Sequence, residues 1–434
     1  MNATSRMGWR TAVMRLIRRR NRRVVRRSSP GRVGLLAVLL LLLGTLAAGL
    51  LRAQRASARQ RGGALLKERA PGVFENRLVL GAALPLRGKL APVGEDVRAV
   101  LSAVFEEENQ RGGLFGRGLE LRVEDDSLAV AGQDGTDRLV KAGVFALVGS
   151  VRTGSRESDA RLEAEGIPLV APVGLSDAHV EKGGRMIFFV HPGPELLARV
   201  AVRHLHDSWN RRRAEPVLAV IHPRSGSGEE WARGASSEAG HREWAPPKVL
   251  AYEPGRFDAA EASRWLEASR AEAVLFAGTA VELSALLAER ETSRELIPVY
   301  APGPLSHPGR STGKWDQVRF VHSSPLVEGF ETGFQEFEAF LRRHSLTPRN
   351  LACQMNAYAS ARLLLEALRR SGADVSRAGL VAALESFQDV NTGVTWPISF
   401  GSQDRVGIRG GFIVRMDEGS RAMTPLSDWI ALSP

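Results

Sequence analysis

The chain has 434 residues, of which 44% are hydrophobic and 25% charged, a composition typical of folded globular domains that excludes a disordered chain. Its net charge of +11 comes from residues 1–32, which hold eleven arginines and no acid; subtracting these from the 59 basic residues leaves 48, equal to the 48 acidic residues. A neutral body argues against a nucleic-acid-binding surface. The single cysteine, Cys353, excludes an intramolecular disulfide, a thiolate zinc cluster and a lipid-modified cysteine near the amino terminus.

Residues 33–51, VGLLAVLLLLLGTLAAGLL, carry no charge and as a helix would span about 28 Å, the thickness of a hydrocarbon core. By the positive-inside rule the arginine-rich residues 1–32 form a cytoplasmic tail, and the rest of the chain lies in the periplasm or outside the cell. The sequence therefore predicts a bacterial inner-membrane anchor at 33–51. A cleaved signal peptide is the alternative, since small residues follow Thr45. Residues 52–76 are mostly polar and predict a stalk.

Short apolar runs bounded by turns recur from residue 78 onwards and predict strands. They begin at residues 78, 119, 144, 167, 186, 217, 273, 297 and 318. Helical patterns lie between many of them; residues 97–105 carry apolar side chains at helical spacing, and a second stripe over 351–368 stops before Gly372. Alternating strands and helices predict an α/β fold with largely parallel, buried sheets.

The stretch ENQRGGLFGRGLELRVEDD, residues 108–126, contains four glycines and ends in three acids. Its glycines follow a predicted helix and precede a strand, whereas a phosphate-binding loop requires a strand followed by a helix. They are better explained as a helix cap and a tight reversal. Glu124, Asp125 and Asp126 have no histidine or further acid at ligand spacing, which favours a solvated or capping role over a cation site. The sequence predicts no cofactor and no metal.

Catalytic patterns are weak throughout the chain. Ser311-Thr-Gly-Lys314 has the letters of an S-x-x-K motif, but it lies in a loop without the partner motifs. His204 and His206 stand two positions apart in a predicted helix and so face different ways. We therefore predict that the protein is not an enzyme.

The segment from residue 78 to residue 127 also carries a family resemblance. Its matching positions are Pro85-Leu86-Arg87-Gly88, Gly94, Asn109, Gly112-Gly113 and Gly116. In this order they resemble the opening of the type I periplasmic binding proteins, in the leucine/isoleucine/valine-binding branch of ABC-transporter solute receptors. The resemblance continues through VFALVGS, GIPLVAP and TGVTWPISFGSQDRVG and covers roughly residues 77–430.

The resemblance implies two Rossmann-like lobes with parallel central sheets, joined by a hinge of three crossovers and closing on a small ligand. By that pattern lobe 1 comprises residues 77–191 and 323–405. Lobe 2 comprises residues 192–322 and 406–434.

The resemblance also implies ligand-binding loops at the strand ends. The candidate residues are Arg87, Val93, Ser150, Arg152, Thr153, Gly174, Ser176, Ser225, Thr279 and Gly303. Thr153 corresponds to a hydroxyl residue that binds a ligand carboxylate in amino-acid-binding members, and an ordinary helix cap is its alternative role. In the second carboxylate loop the hydroxyl is either lost at Leu175 or displaced to Ser176.

The family's amine-binding residues are replaced. Its aromatic residue corresponds to Ser225 or Ser227, its tyrosine to Thr279 or Ala280, and its acid to Gly303. A buried ammonium would then lack a carboxylate partner, which makes an amino-acid ligand unfavourable. Arg87 and Arg152 suggest a carboxylate or other anion instead, although either guanidinium could equally point into water.

Two functions remain open at this point. The chain is a membrane-tethered receptor that delivers a small ligand to an ABC permease, or it is a sensor or envelope scaffold with a degenerate cleft and a protein partner. The sequence leaves dimerisation undecided.

Overall fold

The computed structural model describes residues 71–127, 134–152, 156–174, 184–209, 215–291, 297–303, 315–325, 330–417 and 423–432. The predicted tail, the predicted membrane anchor and most of the predicted stalk lie outside these ranges. Within them, no helix combines the length and the apolar character needed to cross a membrane.

The first sheet consists of five parallel strands in the order β2-β1-β3-β5-β7. Their bounds are β1 Arg77–Leu84, β2 Gly118–Asp125, β3 Ala146–Val148, β5 Leu169–Val170 and β7 Ile187–Phe188. Two further short strands, β4 (Val151–Arg152) and β6 (Val173–Gly174), form a separate parallel ribbon. Since parallel strands end at the same edge, the loops after β1, β2 and β3 gather at the carboxyl edge of the sheet.

Helices cover both faces of the first sheet. They are α1 Ala91–Gln110, α2 Gly135–Lys141, α3 Arg156–Ala164, α8 Glu331–Arg343, α9 Leu351–Ser371 and α10 Arg377–Glu385. Leu78, Leu80 and Ala82 point to the face packed by α1, α8, α9 and α10. Val79 and Ala83 point to the opposite face, against α2 and α3. The sheet is therefore buried on both sides, as its continuous apolar strands require.

The glycines after α1 cap the helix and reverse the chain. Gly112, Gly113 and Gly116 have φ values of 100°, 69° and 77°, in the left-handed region that side chains disfavour. The main-chain N–H of Gly113 donates to the carbonyl of Glu108 at 2.9 Å, which closes the helix end. The predicted cap and reversal are confirmed.

The second sheet has five parallel strands followed by an antiparallel edge, in the order β9-β8-β10-β11-β12-β13-β14. Their bounds are β8 Leu218–Pro223, β9 Lys248–Tyr252, β10 Ala273–Phe276, β11 Val299–Pro302, β12 Val318–His322, β13 Gly410–Met416 and β14 Met423–Pro425. A last strand, β15 (Ile430–Ala431), also pairs with β13. The antiparallel edge is an addition to the largely parallel sheet that we predicted.

Among the residues that the structure describes, four helices cover this sheet, two on each face. They are α4 Pro194–Ser208, α5 Gly226–His241, α6 Ala259–Ser269 and α7 Ala280–Glu289. α4 and α5 share one core with the β8 residues Leu218 and Val220. α6 and α7 share another with Ala219 and Ile221, the alternate residues of the same strand. The two lobes are thus α/β sandwiches with parallel central sheets, as predicted; the exact lobe boundaries stay a prediction.

The chain passes three times between the sheets, after β7, after β12 and before β13. The first and third passages are hydrogen-bonded to each other: the N–H of Phe189 donates to Arg405 O at 2.7 Å, and that of Gly407 to Phe189 O at 2.8 Å. A ring contact also connects the two lobes: Trp396 packs on Trp429, with ring centroids 4.5 Å apart. Both tryptophans contact the cores of both lobes.

Gly94 lets α1 approach the end of β1. A Cβ atom at this position would lie 2.0 Å from the carbonyl oxygen of Pro85, so a side chain would force backbone movement. We predict that Gly94→Ala lowers the free energy of unfolding by about 1–3 kcal/mol, the usual cost of overpacking. Gly240→Ala is the matched control in α5, where the added methyl meets nothing within 4 Å. It should be neutral or stabilise by up to about 1 kcal/mol. Chemical denaturation measures both, and equal effects would contradict this explanation.

Candidate functional site

Arg87 lies at the carboxyl edge of the first sheet, after β1 and directly before a short 3-10 helix, Gly88–Leu90. Its Nε donates to Asp125 Oδ2 at 2.5 Å, while 75% of its side chain is exposed. Its main-chain N–H donates to the hydroxyl of Ser127 at 2.7 Å. The guanidinium that we predicted to hold a ligand anion therefore pairs with a carboxylate of its own chain.

Asp125 is a strong partner for this arginine. Burial acts to raise the pKa of its carboxyl, but hydrogen bonds from Ser127, from the N–H of Leu86 and from Arg87 outweigh burial and hold that pKa well below its ordinary value near 3.8. The carboxylate stays charged at neutral and mildly acidic pH. For Arg87 to bind a ligand, the ligand must share or displace Asp125.

Ser150 and Val93 lie close to the same edge but face the protein. Ser150 follows β3 and is buried, and its Oγ accepts a hydrogen bond from the main-chain N–H of Ala83 at 3.1 Å. Val93 is half-buried in the first turn of α1 and packs against the core of lobe 1. In this structure Ser150 joins two strands, and Val93 shapes the loop beside them.

Arg152 and Gly174 are brought side by side. They are register partners in the parallel ribbon of β4 and β6, and Gly174 is exposed. The ribbon thus aligns the two loops that the resemblance assigns to a ligand carboxylate. Thr153 and Ser176 lie outside the described residues, so their roles stay predictions.

The predicted residues of lobe 2 follow three neighbouring parallel strands. Ser225 comes after β8, Thr279 after β10 and Gly303 after β11. Both hydroxyls cap helices: Ser225 Oγ accepts from the N–H of Gly228 at 3.3 Å, and Thr279 Oγ1 from that of Glu282 at 3.3 Å. Glycine is required at position 303, because a Cβ there would lie 2.8 Å from the carbonyl oxygen of Val321.

Sequence reasoning missed a polar pair at this edge, Tyr252 and Glu282. The Tyr252 hydroxyl donates to Glu282 Oε2 at 2.9 Å, and the main-chain N–H of Thr279 donates to the same oxygen at 2.6 Å. Burial and the charge of Glu282 raise the pKa of Tyr252, so the phenol stays protonated and keeps donating. The pattern Thr-x-x-Glu, a capping box, was the signal in the sequence.

The described side chains at the two edges offer hydrogen-bond donors and acceptors. Strand ends, helix starts and hydroxyls supply donors, which suit an anionic or polar ligand. Within the described ranges, no three His, Cys, Asp or Glu side chains come together as metal ligands would. Burial, with the charge of Asp96 as a smaller contribution, raises the pKa of Cys353 to about 11, which keeps its thiol protonated and unreactive.

His191 occupies the first passage between the lobes and contacts two other segments. Its Nε2 lies 2.7 Å from Asn356 Oδ1 in α9, and its Nδ1 lies 3.4 Å from the hydroxyl of Ser323 in the second passage. Both contacts are satisfied by a neutral ring that donates from Nε2 and accepts at Nδ1. Burial lowers the pKa of His191 below its ordinary value near 6.5, so the ring is neutral at physiological pH.

Comparisons with known proteins agree with this fold. The family described as periplasmic binding protein matches residues 78–421. Leu/Ile/Val-binding protein homolog 3 of Brucella melitensis is 23% identical over 337 residues, which cover 73% of this chain and 85% of that protein.

Solved structures share the fold. The fatty acid ABC transporter substrate-binding protein from Thermomonospora curvata has a TM-score of 0.66 at 18% identity, covering 84% of this chain and 95% of its own. A branched chain amino acid ABC transporter from Thermus thermophilus with bound valine has a TM-score of 0.64 at 15% identity, covering 83% and 98%. Likeness at these identities establishes the fold alone.

The buried ring of His191 predicts a pH-dependent stability. Because its folded pKa is lowered, the unfolded chain takes up a proton at a pH where the folded chain does not, and stability falls as pH drops below about 6.5. His204, whose pKa burial and the nearby Arg319 lower to about 4, acts in the same direction. We expect His191→Gln to reduce the slope of unfolding free energy between pH 7 and pH 5 by up to about 1.4 kcal/mol per pH unit, the limit for one proton. His241→Gln, at a side chain 63% exposed, is the control. Parallel curves for His191→Gln and the wild type would contradict the prediction.

Proposed function

This chain belongs to the periplasmic binding protein family, and from that premise we propose that it is an extracytoplasmic receptor that closes two lobes on a small ligand and delivers it to an ABC permease. The family match over residues 78–421 is the observation that carries the proposal. The two parallel sheets support it, because the carboxyl edges of such sheets are the usual place for ligands. The apolar run at 33–51 would tether the receptor to the inner membrane.

The ligand that we propose is a small carboxylate or related anion without an amino group. The main support is the replacement of the family's acid by Gly303, where close packing leaves no room for a side chain. Two carboxylates at this edge are already paired: Glu282 accepts two hydrogen bonds at one oxygen, and Glu253, which follows β9, pairs with Arg224 at 3.3 Å. Burying an ammonium group that has no free carboxylate partner is costly. A ligand without an amino group is therefore favoured.

Two of the proteins that share the fold illustrate the choice. The Thermus thermophilus structure holds valine, which has both a carboxylate and an amine, whereas the Thermomonospora curvata protein is described as binding a fatty acid, which has a carboxylate only. The residues of this chain fit the second chemistry better. Arg152, in the ribbon of β4 and β6, is the cation that we assign to the ligand carboxylate.

A second function is favoured by the internal hydrogen bonds of the site. Arg87, Ser150, Ser225 and Thr279 each bind a partner in their own chain. A cleft whose polar residues are already satisfied suits a sensor or envelope scaffold that recognises a protein. The two lobes would then bind a protein partner rather than a solute.

A thermal-shift screen of the full chain in detergent separates these functions. Amino acids, amides, carboxylates, nucleosides and sugars are added at millimolar concentration, and unfolding is followed by tryptophan fluorescence. A ligand at a hundred times its Kd stabilises by about 2.7 kcal/mol, which raises Tm by several degrees. We expect a carboxylate to do this, and Arg152→Ala to abolish the shift. Arg264→Ala, on the exposed side of α6, should leave it unchanged.

Other outcomes are equally informative. Stabilisation by an amino acid that is lost in Glu282→Gln would overturn the ligand proposal while keeping the receptor function, because glutamine retains the capping hydrogen bonds and removes only the charge. Cooperative melting with no shift from any class would favour the protein-binding alternative.

A further inference from the structure

Two exposed phenylalanines lie on neighbouring segments of lobe 1, one near residue 71 and one in the turn after α1. Phe74 and Phe115 are each 46% exposed, and Phe74 is three residues from Pro71. Large apolar side chains concentrated at one place on a surface mark interaction sites more often than single exposed ones do. These two lie on neighbouring segments, as the contacts below show.

Arg117 joins the two segments. Its Nε donates to the main-chain carbonyl of Phe74 at 3.0 Å, and its Nη1 donates to the main-chain carbonyl of Ala373 at 3.1 Å. Leu114 and Arg117 pair across a tight turn that presents Phe115. Arg77 lies over the ring of Phe74, with its guanidinium carbon 4.4 Å from the ring centre. Phe74, Arg77, Phe115 and Arg117 therefore form one ordered surface, which we call the amino-edge surface.

This surface lies at the amino edge of the first sheet, opposite the ligand-binding edge. Arg77 is the first residue of β1, and Gly118, directly after Arg117, is the first residue of β2. The eight residues of β1 separate the two edges by about 26 Å at ~3.3 Å per residue. The chain enters at this edge and is held there, since the N–H of Val79 donates to Gly72 O at 2.8 Å.

The predicted anchor indicates what this surface contacts, because the chain runs from the anchor directly into this edge of the sheet. The predicted anchor ends at residue 51, and the described chain starts at residue 71, so 19 residues, 52–70, connect them. Even fully extended they reach about 65 Å, so the tether keeps the edge where the chain enters within that distance of the bilayer.

We propose that the amino-edge surface rests on the lipid headgroup region of the membrane, with Phe74 and Phe115 inserted and the arginines at the level of the headgroups. This rests on the proposed membrane anchor. Aromatic rings beside arginines suit that boundary, because the rings bury apolar area while the guanidinium groups stay hydrated.

The charge of the surface indicates that lipid charge contributes little to binding. Arg77 pairs with Glu120 at 3.3 Å, and Arg117 donates to main-chain carbonyls. Glu75 and Asp374 are exposed close by and offset the positive charge. Insertion of the rings, rather than attraction to anionic lipid, drives the contact. With this surface on the bilayer, the ligand-binding edge of lobe 1 lies up to about 26 Å farther from the membrane than the surface does.

The experiment uses the full chain in phosphatidylcholine vesicles. Cys353→Ala removes the native thiol, and Phe115→Cys introduces one for an environment-sensitive fluorophore. Val249→Cys in β9 is the matched control, because Val249 is also 46% exposed. Lipids carrying a headgroup nitroxide should quench the label at position 115 about twofold or more above that at position 249. Phosphatidylglycerol should leave this ratio unchanged.

Equal quenching at the two positions would overturn the proposal. If Phe115→Cys unfolds the protein, Phe74→Cys provides the same test from the neighbouring segment. The label at position 115 could instead become shielded from water only when other envelope proteins are reconstituted with the chain. That result would assign the surface to a protein partner and would also contradict the bilayer contact. Alkaline carbonate extraction separates the two proposals: release of the chain from vesicles means that the anchor has failed, whereas a retained chain with an exposed label means that the surface contact alone has failed.

Discussion

Parallel pairing of buried strands is the constraint on which the rest of this structure depends. In each lobe five strands run in one direction, so their carboxyl ends meet at one edge and their amino ends at the other. Arg87 and Ser150 reach one carboxyl edge, and Ser225, Thr279 and Gly303 reach the other, because each follows such a strand. The same rule sends the entering chain to the amino edge, where Gly72 is held. Our proposals place ligand binding and membrane attachment at opposite edges of the first sheet for this reason.

The sequence predicted the central strands well, because a strand buried on both faces is a continuous apolar run. LVLGAAL and VLAVI each became a central strand, β1 and β8. It missed β9, an edge strand whose Lys248 and Val249 are exposed and interrupt such a run. It also missed β4 and β6, which are two residues long and leave no period to detect. The role of Gly112 and Gly113 could be predicted, because a left-handed turn after a helix favours glycine and so leaves a local pattern in the sequence.

The candidate site was harder to predict, because its hydrogen-bond partners are distant in sequence. Arg87 meets Asp125 across two strand ends, and Tyr252 meets Glu282 across a helix and a strand. No local pattern reports such pairs; they follow from strand order and from which helix covers which face. The resemblance predicted ligand-binding loops at the strand ends, and the structure shows that several polar side chains in those loops are already hydrogen-bonded within the chain. Our two proposed functions differ in whether a ligand displaces these internal partners.

Mass spectrometry of the ligand that co-purifies with the full chain from its native membrane tests the central claim most directly. The intact complex is measured under native conditions, and the small molecule is then released and identified by accurate mass. Our account predicts a small carboxylate or related anion without an amino group, bound once per chain and lost in Arg152→Ala. An α-amino acid bound at the same stoichiometry would contradict it, because among the described residues of the site the carboxylates of Glu282 and Glu253 are already paired and would leave the ligand's ammonium without a partner.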